Sequence, residues 1–253
     1  MRRVQTQSPQ GAPTVAYTGT GGAVYVAPDP APAGARLWFF TRLGGVSEPP
    51  YDSLNVSKSV GDEPTAVDEN LSIIREALGG RSSAWVRQVA GDGVARVSAA
   101  GFAGEADALV TSEQDLCLSV AVADCVPVAL VGVGDVGMVH SGWRGTLAGV
   151  SGKAARCMAG LGIRAYVGPC IRRCCYEVSE ERAREFAGEF GDGVVSGRYL
   201  SLPDAIRTDL ERAEVEVHDL GLCTGCRPEL FYSHRKQGPL TGRTLASVAR
   251  VAG

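Results

Sequence analysis

"LCLSVAVADCVPVALVGVGDVGMVHSGWRG", residues 116–145, is a chain of valine-rich segments cut by short polar or glycine-bearing breaks. "LCLSVAVA", "VPVALVGV" and "VGMVH" each have the length and β-branched content of a strand, and the gaps between them are too short for a helix. Strands joined by turns pair antiparallel most readily. The same pattern reaches upstream to "WVRQV" at 85–89, so antiparallel pairing is expected from about residue 84 to His140.

Downstream the periodicity changes. "RAYVG" (164–168), "VEVHD" (215–219) and "TLASVARV" (244–251) read as strands, with amphipathic helical patterns between them. Leu147, Val150, Ala154, Cys157 and Leu161 mark a helix over Leu147–Leu161, and two more lie near Ser179–Phe190 and Pro203–Arg212. Upstream, Val67, Leu71, Ile74 and Leu78 mark a helix over Thr65–Leu78 that Gly79 can end. The fold class is therefore α/β (α+β), a mixed sheet covered by helices. Residues 1–35, with "APDPAPAGA", are expected to form a flexible N-terminal extension with one strand at Ala23–Ala27, and residues 36–253 a single domain.

The chain has 253 residues, 45% of them hydrophobic, and a formal net charge of -3. That is enough for a full core, and without a basic block it argues against a nucleic-acid partner. No apolar stretch approaches the roughly 18 residues that span a bilayer, so no membrane partner is expected. The start "MRRVQTQSPQGAPTV" lacks the apolar segment of a signal peptide, and the expected location is cytoplasmic. Oligomeric state is not encoded in any of these features.

Eight cysteines in a chain with its own core do not need to form a disulfide framework. "CIRRCC" (170–175) and "CTGC" (223–226) resemble zinc-ribbon halves, but C-x3-C-C does not match C-x2-C and no histidine stands in a ligand pattern beside them. Buried free thiols are the expectation there. "CTGC" as a redox pair lacks a surrounding thioredoxin-like unit.

Chemistry is expected where polar residues interrupt apolar strands. Asp124 and Cys125 do so in "ADC", and His140 does so before "SGWRG". One hairpin-like connection would bring Cys125 and His140 together, as metal ligands or as an imidazole-activated thiolate; the bland alternative is a buried thiol and a strand-end histidine that never meet. In the turn-rich stretch "TRLGGVSEPPYDSLNVS" (41–57), Arg42 and Asn55 are candidates for binding an anionic or amide-bearing ligand, against the default of a solvated loop. Gln88 shares a strand face with Ala90, and Arg144 follows Trp143, where it can brace the turn or bind substrate.

"TRLGGVSEPPYDSLNVSKSVGDEPTAVDEN", "WVRQVAG", "DALVTS", "VADCVPV", "VHSGWRG", "GPCIRRCCYEV" and "CTGCRPELFYSHRKQGPLTGR" occur in the order seen in the laccase-domain family, also called the YfiH/YlmD-like or multicopper polyphenol oxidoreductase family, which the chain resembles from about Trp38 onward. Copper centres rely on imidazole ligands, and three histidines are too few for a multicopper cluster. The resemblance implies a sandwich related to the cytotoxic necrotizing factor toxins and an enzyme acting on purine nucleosides, as a phosphorylase or adenosine deaminase, with phosphate as co-substrate.

It further implies a zinc site. The family's "ADC" cysteine and "HAGWRG" histidine fall on Cys125 and His140, but the first ligand, the histidine of "QVHG", falls on Ala90. A methyl group donates nothing, so zinc binding is expected to be weakened or lost. His218 and His234 are not obvious replacements. Ala90 fits an engineered ablation, a paralogue that now only binds a metabolite or protein, or a metal-free enzyme with Cys125 as nucleophile and His140 as base. In the nucleoside reading Arg42 and Asn55 position phosphate or ribose, with Gln88 and Arg144 as further substrate-binding candidates.

Overall fold

The computed structural model describes residues 3–6, 14–160 and 162–252. Strands β1 (Arg3–Thr6), β2 (Thr14–Thr18), β3 (Val24–Pro28) and β4 (Ala35–Phe40) precede helix α1 (Pro64–Ala77). Then come β5 (Ser83–Arg87), β6 (Val94–Arg96), β7 (Gly101–Glu105), β8 (Ala108–Thr111), β9 (Cys117–Val122), β10 (Val126–Val131) and β11 (Val136–Ser141). Helices α2 (Trp143–Leu147) and α3 (Val150–Cys157) lead to β12 (Arg164–Val167), α4 (Glu180–Phe190) and the small ribbon β13 (Val195–Ser196) and β14 (Tyr199–Leu200). The chain closes with α5 (Leu202–Glu211), β15 (Glu216–Asp219), α6 (His234–Gln237) and β16 (Thr244–Arg250).

The strands build an eight-stranded sheet, ordered β1-β2-β3-β4-β16-β9-β5-β7, and a six-stranded sheet, ordered β15-β12-β10-β11-β8-β6. Their inner faces meet in one core, where Leu37, Phe39, Leu118, Val120 and Val248 pack on Leu109, Ala129, Met138 and Tyr166. Period two explains the outer layers. In β4, Leu37 and Phe39 point into that core, while Trp38 and Phe40 point outward to pack with Ile74 of α1. In β10, Ala129 and Val131 face the inner core, and Val128 and Leu130 face Val150, Ala154, Phe186 and Ile206 of the helices. A strand buried on both faces reads as an unbroken apolar run, as "VPVALV" does. The expected α+β architecture, with mixed sheets covered by helices, is present.

Three details differ from the sequence reading. Pairing between residues 84 and 140 is not uniformly antiparallel: β8–β11 and β10–β11 are, but β5 runs parallel to β7 and β9, and β6 parallel to β8. Moreover β9 and β10 lie in different sheets, so the break at Ala123–Cys125 carries the chain across the sandwich. Apolar runs record burial and not partner identity, which is why the periodicity could not show this. The helix expected over Leu147–Leu161 is two helices, because Gly149 takes the left-handed φ of +71° between α2 and α3; Leu161 lies outside the described residues. The strand expected at Ala23–Ala27 appears as β3, and β1 and β2 add to the same sheet; residues 1, 2 and 7–13 of the expected extension lie outside the described residues. Among the described residues, no helix is long and apolar enough to cross a membrane.

The strand directions decide where chemistry can collect. β10 is antiparallel to both β11 and β12, β11 is antiparallel to β8, and β12 is parallel to β15. The starts of β8 and β10 and the ends of β11, β12 and β15 therefore share one edge of the six-stranded sheet. Gly168, just past β12, sits under the inner core: a Cβ there would lie 2.4 Å from two ring carbons of the buried Phe39. Gly168→Ala is expected to lower stability by about 1–3 kcal/mol through overpacking, measured by urea denaturation.

Candidate active site

Asp107, Cys125 and His140 flank that shared edge. Asp107 precedes β8, Cys125 precedes β10, and His140 lies near the end of β11, where it pairs with Pro127 across the hairpin. The Asp107 carboxylate is fully buried and accepts four hydrogen bonds: from the backbone N–H groups of Val89 (3.2 Å), Ala90 (3.0 Å) and Gly91 (2.7 Å), and from Nδ1 of His140 (2.8 Å). Burial pushes this carboxyl up, but hydrogen bonds from His140 and from the Gly91 and Val89 backbone outweigh it and leave it below the ordinary aspartate range. An ionised carboxylate only accepts, so Nδ1 carries a proton and Nε2 is the nitrogen left for chemistry. The Asp107 carbonyl also accepts the His140 backbone N–H at 2.7 Å, so both ends of the histidine are held by one residue.

Cys125 is half-buried, and its sulfur is near enough to the His140 ring to raise the imidazole pKa. Burial alone would lower the imidazole pKa; the Cys125 sulfur and then Asp107 reverse that and hold it at about 9. The arrangement is a cationic imidazole braced by a carboxylate and facing a sulfur. The glycines of "HSGWRG" allow the close packing: a Cβ on Gly142 would lie 3.2 Å from Cys125 Sγ, and one on Gly145 2.9 Å from the Gly91 carbonyl oxygen.

Two residues at the site hold left-handed backbone, Ala90 at φ +57°, where a β-carbon is disfavoured, and Asp124 at φ +83°, which aspartate tolerates better. Asp124 is buried, accepts the Thr224 hydroxyl at 2.6 Å and the Arg235 backbone N–H at 2.7 Å, and so ties Cys125's neighbour to the segments at 224 and 235. Ala90 sits on the loop that wraps Asp107, but it brings a methyl group. Cys125 and His140 supply two metal donors, and among the described residues no third histidine, cysteine or carboxylate joins them in a metal-binding group. The donor set does not fit a three-ligand catalytic zinc.

The other candidates from the sequence serve different ends. Arg42 is buried and committed: Nε donates to the Asp52 carbonyl (2.7 Å), Nη1 to the Pro228 carbonyl (3.0 Å), Nη2 pairs with the Asp52 carboxylate (2.9 Å), and the guanidinium stacks on Tyr232. Asn55 is fully buried; its Nδ2 donates to Ser57 O and Asp62 Oδ2, and its Oδ1 accepts from the N–H groups of Ser57 and Arg243. Gln88 uses both ends of its amide on the backbone of Ala121, at 2.9 Å each way. Arg144 is exposed and lies over Trp143, whose ring also carries Arg182. His218 stacks on Tyr166 and His234 is exposed at the start of α6. The structure thus brings together Cys125 and His140 and uses Arg42, Asn55 and Gln88 as ties within the scaffold.

Two residues at the site were not singled out from the sequence. Asp107 lies in "DALVTS" and looks there like a strand-start aspartate. Arg243, in "TGR", is half-buried; burial lowers its pKa, opposed by the nearby Cys125 and Asp124. Like His140, it interacts electrostatically with the Cys125 sulfur, and no local pattern marks it.

A two-sheet α+β sandwich with a Cys–His–Asp cluster at one sheet edge defines the class of protein. The family model described as "Multi-copper polyphenol oxidoreductase laccase" matches residues 36–251, and the chain belongs to this family. It is 38% identical over 224 residues to a purine nucleoside phosphorylase of Deinococcus radiodurans, covering 83% of this chain and 87% of that one. Over 236 residues it is 37% identical to purine nucleoside phosphorylase SCO2081 of Streptomyces coelicolor, covering 85% and 95%. The crystal structure of YlmD from Geobacillus stearothermophilus matches with a TM-score of 0.81 at 28% identity, covering 99% of this chain and 100% of that one.

Asp107→Ala strands three backbone donors and the imidazole, and should cost about 3–5 kcal/mol in denaturant unfolding. Ala90→Gly should instead raise stability by about 0.5–1 kcal/mol in the same measurement, because glycine relieves the left-handed backbone at some entropic cost.

Proposed function

We propose that the chain acts on purine nucleosides with phosphate as co-substrate, releasing the free base and the sugar 1-phosphate. The observation that carries this reading is the Asp107–His140–Cys125 arrangement, with Asp107 and His140 buried, in a chain whose relatives are named purine nucleoside phosphorylases. In phosphorolysis a phosphate oxygen bonds to the anomeric carbon as the bond to the purine nitrogen breaks. The electron pair leaves with the base, which needs a proton or a fixed positive charge. His140 Nε2 can donate that proton while Nδ1 stays on Asp107, and phosphate returns one to the ring. In this reading Arg243, rather than Arg42 or Asn55, holds the phosphate; in support, among the described residues only Nη1 of its fork is engaged, by the carbonyls of Thr241 and Gly242. No step is assigned to a metal, since the donor set is one short.

The expected result is purine release that requires phosphate, falling about 100-fold or more in His140→Ala. Ala90→His restores the missing donor and should bind one more zinc than the unmodified protein, with release rising about tenfold or more. No purine from either form overturns the reading; ammonia from adenosine in the same assay would assign deamination instead.

One observation favours a second reading, a cysteine-dependent hydrolase or transferase: the Cys125 sulfur is half-exposed and paired with a cationic imidazole. It requires Cys125 to alkylate faster at neutral pH than buried Cys117, whose pKa burial pushes up to about 12. Peptide mapping after brief iodoacetamide treatment tests this, and an unlabelled Cys125 would sink it.

A further inference from the structure

β12 and β15 are parallel neighbours, so the chain leaving each one crosses the same sheet edge. The segment after β12 carries Cys170, Cys174 and Cys175, and the segment after β15 carries Cys223 and Cys226. A short parallel bridge locks them side by side: Cys170 N donates to the Leu222 carbonyl at 3.2 Å, and Thr224 N to the Cys170 carbonyl at 3.0 Å. The N–H groups of Cys175 and Tyr176 both donate to the Arg172 carbonyl, at 2.8 and 3.0 Å, closing a turn that presents the adjacent cysteines together.

The sulfurs of Cys174, Cys175, Cys223 and Cys226 all lie within 4.8 Å of one another. Cys174 is 3.5 Å from Cys223 and 3.4 Å from Cys226, and Cys175 is 3.4 Å from Cys226. A tetrahedron of thiolates with metal–sulfur bonds of about 2.3 Å has edges of about 3.8 Å, whereas a disulfide holds its sulfurs at about 2.05 Å. The observed spacing belongs to the first arrangement. Gly225 makes it possible, since a Cβ there would sit 2.9 Å from Cys175 Cβ and 3.0 Å from its sulfur.

The thiols are free, as expected, but the expectation that they are buried is corrected for three of these four. Cys174 and Cys226 are exposed, and only Cys223 of the four is buried. The spacing objection fails because the second half of the site is the vicinal pair Cys174–Cys175; Cys170, fully buried, is spaced like a ligand but is not one of the four.

We propose that Cys174, Cys175, Cys223 and Cys226 form a structural metal site that takes one soft, tetrahedral divalent ion of the zinc class. Binding exchanges the thiol protons for the ion: four thiols and one divalent cation give a tetrathiolate of charge minus two and four protons, with no oxidant or reductant. Four protein ligands leave no open position, so the ion braces and does not react. What it braces is the backbone next to Cys125, because Thr224, inside "CTGC", holds Asp124 at 2.6 Å, and the Arg235 N–H holds the same carboxylate at 2.7 Å. This proposal stands apart from the nucleoside reading.

Elemental analysis of the full chain purified without chelators tests it, alongside Cys125→Ser and Cys174→Ser/Cys226→Ser. About one zinc per chain is expected in the unmodified protein and in Cys125→Ser, and loss of nearly all of it in the double variant. Should the double variant not fold, cobalt(II) exchange into the unmodified protein gives the second measurement, with the intense visible bands and sulfur-to-metal charge transfer of a tetrahedral tetrathiolate. A metal-free protein whose four thiols all alkylate, or an intact mass lowered by disulfide formation, overturns the proposal. So does zinc that disappears with Cys125→Ser.

Discussion

A single buried carboxylate organises this site. Asp107 has no solvent, and an unsolvated anion is tolerated only when donors replace its water. Three of those donors are successive backbone N–H groups at 89–91, which converge on one point only because Ala90 turns left-handed between its neighbours. The fourth is the His140 ring. The loop conformation, the imidazole tautomer and the position of the histidine against Cys125 are therefore consequences of one charge. The strain at Ala90 is the cost of wrapping that charge.

The sandwich explains why the cluster lies where it does. Antiparallel pairing of β8, β10, β11 and β12, followed by the parallel step to β15, turns five strand ends to one edge. Cys125 and His140 then face across a hairpin, and the cysteine turns at 170–175 and 223–226 close over the same edge. Asp124 links the two groups, being bonded to Thr224 on one side and followed directly by Cys125 on the other. Cys125 and the cysteine cluster are thus neighbours through Asp124 while drawing on different residues.

The ties that surround the edge change the roles of several polar residues. Arg42 and Asn55 look like ligand-binding groups in a turn-rich loop, yet each is saturated by protein partners. Leu54 anchors this loop in the core, and buried polar side chains hold the rest of it by hydrogen bonds. Asn55 contributes to the site at one remove, by fixing the backbone of Arg243.

Much of this was legible in the residues themselves. The valine-rich runs, the helical periodicities, the interruption of strands by Asp124, Cys125 and His140, and the missing donor at Ala90 are local features, encoded in neighbours along the chain. The ordered motif blocks also carried the family. What only the tertiary structure decided is which distant segments meet. β9 and β10 could have paired but lie in different sheets, because a doubly buried strand records its burial and not its partner. Asp107 became the anchor of His140, Arg243 the cation beside Cys125, and four cysteines in mismatched spacings one compact group, through contacts between residues 33 to more than 100 positions apart. Periodicity reports the environment of each residue, whereas a site is made by the strand order that brings those environments together.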